Sequence, residues 1–244
     1  RDDLVTGVQT CALPISNILK NKKVNIWNPN TTREFLDNNG FKHYKEGDIG
    51  ASYSFQFRYS GAEYKGCDFD YNKLSGSKRG IDQLEEVIYL LKNDPNSRRI
   101  MINLWNPTQI KDMTLPPCAY CYQFYVSFKD NKKYLHTKIT QRSSDISLAG
   151  GWNIASGALI TYLLAKECDM EPGSLIWSPG DTHIYKNQLE DVKKMLSDIG
   201  KTNSVFPKLF IPGEKKKHIC DYEYSDLLLL NYYSKKSVKL AMNA

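Results

Sequence analysis

The chain has 244 residues, of which 41% are hydrophobic and 25% charged, and its formal net charge is +6 at pH 7. These values are those of an ordinary globular protein of one large or two small domains, with a mild bias towards anionic ligands rather than a nucleic-acid-binding signature. Six scattered cysteines argue against a secreted disulfide scaffold and favour a reducing compartment, the cytoplasm. The longest apolar stretch, residues 154–165, is shorter than the roughly 20 residues that span a bilayer, so we expect no membrane contact.

The first residues differ in character from the rest. Residues 5–15 resemble the translation of a sequencing-library adapter. We therefore expect residues 1–15 to be a non-native segment and residues 16–244 to form the folded domain. The alternative is a natural disordered tail.

The first half of the chain alternates between strand and helix signals. Residues 24–27 are predicted as a short strand, and residues 32–38 as a short helix capped by its threonine. The aromatic-rich residues 52–64 are predicted as a strand. Residues 81–92 carry apolar side chains at helical spacing, and residues 99–105 are predicted as a strand.

The second half contains a predicted hairpin and a central helix. Residues 121–128 and 134–140 are predicted as antiparallel strands around the turn at Asp130 and Asn131. Residues 153–166 are apolar nearly all round, which indicates a buried helix. The remaining predictions are a strand at 175–177, an amphipathic helix at 185–198, and late strands at 208–211 and 238–242. Strands and helices mix without strict alternation, which favours an α+β fold with a large mixed sheet packed with helices.

Cys118 follows two prolines, which fix the backbone and hold the thiol at the entrance of a strand. A nearby cation such as Arg142 would lower the pKa of the thiol and make it a nucleophile. The alternative is a buried structural cysteine. Cys118 and Cys121 also form a Cys-x-x-Cys pair, but zinc needs about four ligands and the sequence has no second pair of ligands, so we expect no metal.

Residues 141–145, Gln-Arg-Ser-Ser-Asp, combine a guanidinium with hydroxyl groups, which are the donors that a phosphate needs. Arg98 and Arg99 add two guanidiniums on another segment. Neighbouring residues of a strand point to opposite faces, so both arginines can serve one site only at a bend or a chain crossing. The alternative is a solvated pair.

Asn153 stands at the start of the predicted central helix, where it is either an N-cap or an amide that pairs with uracil O4 and N3–H. His183 and Tyr185 lie on one side of an extended segment and suit a ribose hydroxyl; the alternative is a structural histidine. Together with Cys118 and Arg142, these residues predict covalent chemistry on a nucleotide monophosphate.

Further short motifs run in order along residues 16–244. They are Ile26-Trp27, Gly47-Asp48-Ile49-Gly50, Tyr53 with Gln56 and Arg58, Gly61-Ala62-Glu63-Tyr64, Asp82-Gln83-Leu84, Ser97-Arg98-Arg99-Ile100, Pro117-Cys118, Gln123-Phe124-Tyr125-Val126, Gln141-Arg142-Ser143, Asn153-Ile154-Ala155-Ser156 and Gly180-Asp181-Thr182-His183-Ile184-Tyr185. This series resembles the folate-dependent thymidylate synthases. The resemblance implies a thymidylate synthase-like fold, a sheet-to-sheet homodimer, and a catalytic domain at residues 16–244 that lacks its N-terminal part. It also implies a methyltransferase that converts dUMP to dTMP with 5,10-methylenetetrahydrofolate as carbon donor and reductant, and that does not use DNA as a substrate.

The resemblance also implies roles for particular residues. Cys118 would add to C6 of dUMP, Arg142 would hold the phosphate and keep the thiol ionised, Tyr53 would assist removal of the C5 proton through water, and Asp145 would bond the pterin. The implied dUMP-binding residues are Arg98 and Arg99 from the partner subunit, with Gln141, Arg142, Ser143, Asp145, Asn153, His183 and Tyr185. The implied folate-binding residues are Ile26, Trp27, Leu115, Asp145, Leu148, Ala149 and Trp152.

The sequence departs from the family pattern at several places. Ala119 stands where the family usually has a histidine, and residues 149–152, Ala-Gly-Gly-Trp, replace a usual Gly-x-Pro-Phe. The family's upstream arginine loop and glutamate have no counterpart before Ser16. Two other functions therefore stay open: a dUMP hydroxymethylase, in which water quenches the methylene, and a non-catalytic nucleotide- or RNA-binding relic.

Overall fold

A computed structural model describes residues 26–197 and 205–233, together with residues 238 and 240. The helices are α1 (Arg33–Asn38), α2 (Tyr53–Tyr59), α3 (Gln83–Asn93), α4 (Gly151–Glu167) and α5 (Leu189–Ser197). The strands are β1 (Met101–Asn103), β2 (Ala119–Lys129), β3 (Lys132–Asp145), β4 (Glu171–His183), β5 (Lys208–Phe210) and β6 (Leu228–Leu230). The segment predicted at residues 1–15 and most of the strand predicted at 238–242 lie outside the described residues.

The main sheet has the strand order β1-β2-β3-β4. The first two pairings are antiparallel and the third, β3 with β4, is parallel, so the predicted mixed sheet is confirmed. Strands β2 and β3 form the predicted hairpin, and its turn residues Asp130 and Asn131 both have positive φ, at 50° and 59°. This backbone suits a two-residue hairpin turn, because its twist matches that of the flanking strands. Strands β5 and β6 pair with each other in a second sheet.

Helix α4 packs on one face of the main sheet. Its Leu163 and Leu164 are buried in the same core as Leu135 and Ile139 of β3. With the turn before it, α4 forms an apolar segment, Ile146–Glu167, that is long and apolar enough to cross a membrane by length and composition alone. In this fold the segment is the core helix behind the sheet.

The other face of the main sheet is open in the single chain. Tyr125 of β2 is 66% exposed and Ile176 of β4 is 55% exposed, and Met101 of β1 is also exposed. Alternate positions on the same strands, such as Phe124 and Val126, are buried against the core. The sheet therefore has one covered apolar face and one uncovered face that is partly apolar.

The strand predicted at residues 52–64 is wrong, because this segment contains helix α2. Most of α2 is buried, including Phe55, Gln56 and Phe57, so the sequence shows no apolar stripe with helical period. The buried Gln56 amide donates to the Ala51 carbonyl at 2.8 Å and to Gln109 Oε1 at 3.0 Å. A polar residue inside the helix is thus satisfied by contacts that only the folded chain provides.

Local capping explains the helices that the sequence predicted correctly. Thr32 Oγ1 accepts from the Phe35 N–H at 3.1 Å at the start of α1, and Asp82 Oδ1 accepts from the Glu85 N–H at 3.1 Å at the start of α3.

Ile26, however, lies in a turn rather than the predicted strand, since a 3₁₀ turn with a proline follows at Asn28–Asn30. Helix α5 also begins later than the predicted residue 185.

Candidate active site

Cys118 lies directly before β2, at the strand entrance that the prolines predicted. Its backbone N–H donates to the Tyr53 hydroxyl at 2.8 Å, and its carbonyl accepts from the Arg142 N–H at 2.8 Å. The thiol lies 3.8 Å from Arg142 Nη2. The fold therefore brings together three of the four predicted catalytic groups, a thiol, a guanidinium and a phenol; the fourth is the carboxylate of Asp145, at the end of β3.

The Arg142 guanidinium is fixed by neutral partners. Its Nε donates to the Pro117 carbonyl and its Nη2 to the Pro116 carbonyl, both at 3.0 Å. The ring of Trp105 lies over it, with 5.8 Å between the ring centroid and Cζ. Arg142 forms no salt bridge within the described residues, and its Nη1 makes no hydrogen bond there, so its charge and donors remain for an anionic ligand.

Burial raises the pKa of the Cys118 thiol, while the Arg142 charge and the Tyr53 hydroxyl act in the opposite direction. Burial therefore opposes the ionisation that Arg142 favours, because it removes the thiolate from water, and ionisation of Cys118 by Arg142 stays a prediction. Burial, and then the neighbouring thiol, also raise the pKa of Tyr53. Tyr53 is consequently a neutral phenol at physiological pH, suited to hydrogen bonding rather than to acting as a strong base.

The parallel pairing of β3 with β4 places the predicted phosphate and ribose groups side by side. Ser143 lies opposite Asp181, and Asp145 opposite His183. Strand β4 runs to His183 rather than ending at residue 177 as predicted, because its pairing with β3 continues to Asp145. Close approach of the strands requires Gly180, since a Cβ there would lie 2.7 Å from the Arg142 carbonyl oxygen.

His183 packs edgewise on Tyr185, with 4.9 Å between the ring centroids. Its Nδ1 lies 3.2 Å from Asp181 Oδ1. Both rings are half-buried, so the predicted placement of the two side chains next to each other is confirmed. Their binding of a ribose hydroxyl stays a prediction.

Asp145 joins this strand pair to helix α4. Its Oδ1 accepts from the Leu148 N–H at 3.0 Å and its Oδ2 accepts from Gln188 Nε2 at 2.7 Å. Asp145 thereby caps a π-helical turn, Ile146–Gly150, that continues directly into α4. The N-cap alternative for Asn153 does not hold, because α4 begins at Gly151 and Asn153 lies inside its first turn. Its half-buried amide makes no hydrogen bond within the described residues, and a ligand would satisfy it.

Three predicted dUMP-binding residues differ in burial: Gln141 is buried in the sheet, whereas Arg98 and Arg99 are exposed. Gln141 is buried, donates to the Ser143 carbonyl at 2.8 Å and accepts from Trp177 Nε1 at 2.9 Å, so its amide supports the strand that carries Arg142. Arg98 and Arg99 are exposed in the turn before β1. In the described part of the chain, neither guanidinium forms a hydrogen bond or ion pair with Cys118, Arg142 or Tyr53.

Two of the predicted folate-binding residues, Trp27 and Leu115, lie next to this region. Trp27 packs on Tyr53 with 5.7 Å between the ring centroids, and the Leu115 carbonyl accepts from Ser52 Oγ at 3.3 Å. The half-buried side chains at the start of the π-helical turn and of α4 complete the predicted set: Leu148, Ala149 and Trp152. Across the described ranges, no group of three or more His, Cys, Asp or Glu side chains is arranged to hold a metal ion.

Sequence reasoning missed Asn30. It lies one turn after Trp27, whose carbonyl accepts from the Asn30 N–H at 3.1 Å. Asn30 is 1% exposed, and neither atom of its side-chain amide has a hydrogen-bond partner in the described structure. A buried amide without partners is costly, so Asn30 is a position where an ordered water or a bound group would add hydrogen bonds. The only local signal was the polar turn that follows the Ile26-Trp27 motif.

Comparison with known proteins assigns the family. Residues 14–244 match the family model described as thymidylate synthase. The chain is 44% identical to the bifunctional dihydrofolate reductase-thymidylate synthase of Paramecium tetraurelia, over 92% of this chain and 46% of that protein, so it spans about half of that relative. It is 41% identical to the thymidylate synthase of Saccharomyces cerevisiae, over 93% of this chain and 74% of that protein, and 40% identical to that of Candida albicans, over 93% and 75%. The chain therefore belongs to the thymidylate synthase family of methyltransferases.

Proposed function

We propose that the protein converts dUMP to dTMP, with 5,10-methylenetetrahydrofolate as co-substrate, through a covalent bond between Cys118 and C6 of the uracil. The observation that carries the proposal is the position of the thiol, 3.8 Å from a guanidinium that no carboxylate neutralises within the described residues. A nucleophile next to an uncompensated cation suits attack on an anionic substrate. Splitting the reaction through a covalent adduct replaces one difficult step by easier ones.

The surroundings of Cys118 fit both reactants. Arg142 and Ser143 offer donors for the phosphate, and the free amide of Asn153 offers one donor and one acceptor for the uracil edge. His183 and Tyr185 offer donors for the ribose 3′-hydroxyl at the neighbouring strand end. The adjacency of β2, β3 and β4 in one sheet supports a common site for Cys118, Arg142, Ser143 and His183.

We place the folate beside Tyr53, where Trp27 packs. Trp27, Leu148 and Trp152 offer half-buried apolar surface for a planar ring system, Asp145 offers a carboxylate, and the unpartnered amide of Asn30 needs a polar ligand. When bound, the folate supplies the one-carbon group and the hydride. Trp27 packs on Tyr53, so a folate bound against Trp27 would lie next to the phenol that hydrogen-bonds to Cys118.

The protein's own groups act in sequence on dUMP. The Cys118 thiol gives its proton to water, and Arg142 stabilises the thiolate that burial disfavours. The sulfur then bonds to C6 as the C5=C6 double bond of the uracil opens, and its electron pair moves to C5 and O4 as an enolate. Tyr53 remains a neutral phenol because burial raises its pKa, so it acts on the C5 proton through an intervening water. Its hydroxyl already accepts the Cys118 N–H, which fixes its position relative to the attacking sulfur.

The test of this proposal is product identification. The protein is incubated with dUMP and 5,10-methylenetetrahydrofolate, and the nucleotide is analysed by mass. We expect dTMP. A 5-hydroxymethyl product would instead assign the hydroxymethylase activity, and tight dUMP binding without any turnover would assign the non-catalytic alternative.

We also propose that the open face of the sheet forms a homodimer through which Arg98 and Arg99 reach the partner subunit's phosphate site. The family is generally dimeric. The face carries exposed apolar side chains, including Tyr125 and Ile176, which a second copy would cover. The two arginines are exposed and do not contact the Cys118 group of their own chain within the described residues.

Mixed dimers test the shared site. Cys118→Ser and Arg99→Ala chains are each expected to be weakly active alone. When the two are mixed and allowed to exchange subunits, one site of each mixed dimer contains both Cys118 and the partner subunit's Arg99, so activity should return. No recovery despite exchange would contradict the shared site, and a monomer in sedimentation would contradict the dimer itself.

A further inference from the structure

Trp105 lies against the cation of the active site. It follows β1, and its ring centroid lies 5.8 Å from Cζ of Arg142, whose Nη2 lies 3.8 Å from the Cys118 sulfur. We propose that Trp105 is a positioning residue: its ring holds the Arg142 guanidinium beside the thiol, and so sets how strongly that charge favours the thiolate.

Arg142 needs such support because it is exposed. Its bonds to the Pro116 and Pro117 carbonyls fix two N–H groups in the guanidinium plane, but they leave the faces of that plane to water. A tryptophan ring attracts a guanidinium through its face and removes water from it. A charge that is less exposed to water acts more strongly on its neighbours, here the Cys118 sulfur.

Trp105 is itself held firmly. Its backbone N–H donates to Asn103 Oδ1 at 3.1 Å, and the preceding Leu104 backbone N–H donates at 2.7 Å to the carbonyl of Tyr120, two residues after Cys118. The next residue, Asn106, donates to Gln56 Oε1 at 3.3 Å. Gln56 is buried in α2, the helix that begins with Tyr53.

The turn that carries Trp105 is therefore bonded to both segments that carry the other catalytic groups. Its placement against Arg142 is set by the same network of hydrogen bonds that sets the position of Tyr53. A substitution of the ring would change the surroundings of Arg142 without removing any group that bonds to Cys118.

The positioning role rests on the proposed function, but the effect of Trp105 on the Cys118 thiol can be measured without substrate. The readout is the pH dependence of Cys118 alkylation by iodoacetamide, followed by mass spectrometry with fragment ions that separate Cys118 from Cys121. In Trp105→Leu we expect the midpoint to rise by about 0.5 to 1 pH unit. In Trp105→Phe the midpoint pH of alkylation should rise less, because phenylalanine keeps an aromatic face. In the control Tyr89→Leu, which removes an exposed aromatic ring elsewhere, the midpoint should not change.

A double substitution separates positioning from general loosening. Arg142→Gln removes the charge through which Trp105 acts, so adding Trp105→Leu to Arg142→Gln should give no further shift. An unchanged midpoint in a folded Trp105→Leu protein, or an equal shift in both backgrounds, would overturn the proposal. If Trp105→Leu does not fold, Trp105→Phe decides: a small upward shift supports the role and no shift overturns it. A shifted midpoint in a protein that makes no dTMP would retain the positioning role while refuting the proposed function.

Discussion

Two cysteines of this protein each lie beside an arginine, and only one pair is suited to catalysis. Cys118 lies 3.8 Å from Arg142, and Cys220 lies 3.0 Å from Arg58. Burial raises the pKa of both thiols, and the arginine opposes it in both. Arg58, however, also bonds Asp82 at 2.8 Å, and that carboxylate raises the pKa of Cys220 again. A cation near a thiol is therefore not sufficient, since its charge must not already be neutralised.

The two sites also differ in their unused hydrogen-bonding capacity. In the region of the proposed active site, the amides of Asn30 beside Trp27 and of Asn153 in the first turn of α4 have no partner within the described residues. Near Cys220, Arg58 pairs with Asp82, and His218 pairs with Glu85. The first site keeps hydrogen-bonding groups that the proposed ligands would use, whereas the second joins α3 to a later part of the chain.

The largest expected effect comes from removing the sulfur of Cys118, and removal of the Cys220 sulfur is the control. Cys118→Ser should lower dTMP formation by more than about 10³-fold, because the nucleophile of the proposed covalent step is lost. Binding of dUMP, measured by calorimetry, should remain detectable because the phosphate donors are intact. The matched control Cys220→Ser should change turnover by less than about twofold. An equal loss of turnover in Cys118→Ser and Cys220→Ser would contradict the claim that only the Cys118–Arg142 pair is suited to catalysis.

The second effect concerns the neutralised pair. The Arg58 and Asp82 side chains are only 13% and 12% exposed, so Asp82→Asn leaves a buried arginine without its counter-charge. We expect the free energy of unfolding to fall by about 3 kcal/mol in denaturant titration, although asparagine can still cap α3. Cys220 should also alkylate at lower pH, because the carboxylate that raises its pKa is gone.

The control for Asp82→Asn is an exposed ion pair. Arg33 and Asp37 lie one helical turn apart, with side chains 40% and 44% exposed, and Asp37→Asn should cost less than about 0.5 kcal/mol. Similar costs for the two substitutions would show that burial does not distinguish the Asp82 pair.

The sequence predicted those parts of the fold that depend on local signals. Helix α3 has apolar side chains at helical spacing and an aspartate cap, and the β2–β3 hairpin has a turn whose residues adopt positive φ. Helix α2 was missed because it is buried on most sides, so its aromatic residues are not restricted to one stripe. The buried amide of Gln56 is satisfied by Gln109, 53 residues away, which no local pattern indicates.

The candidate site was predictable in its residue types and not in its electrostatics. The chemistry of a thiol and a guanidinium suggested that Cys118 and Arg142 lie together, and they do. The direction of the thiol pKa depends on burial by the whole fold, which the sequence does not show. The contact of Trp105 with Arg142 depends on the order of strands β1, β2 and β3 in the sheet. No local sequence pattern around either residue predicts it.

A smaller effect tests the unused amide near Cys118. Asn153→Asp replaces one donor by an acceptor, which suits the N4 amino group of cytosine better than the O4 of uracil. We expect the ratio of kcat/KM for dUMP to that for dCMP to fall by about tenfold or more. An unchanged ratio would show that Asn153 does not read the base edge.

The most direct test of the central claim identifies the sulfur that bonds to the nucleotide. Fluorine at C5 cannot leave as the proton does, so 5-fluoro-dUMP with 5,10-methylenetetrahydrofolate should stall the reaction as a stable adduct. After proteolysis and mass spectrometry with fragment ions, we predict the nucleotide on Cys118 and no adduct in Cys118→Ser. An adduct on Cys121 or Cys220, or no adduct in a protein that makes dTMP, would contradict the account.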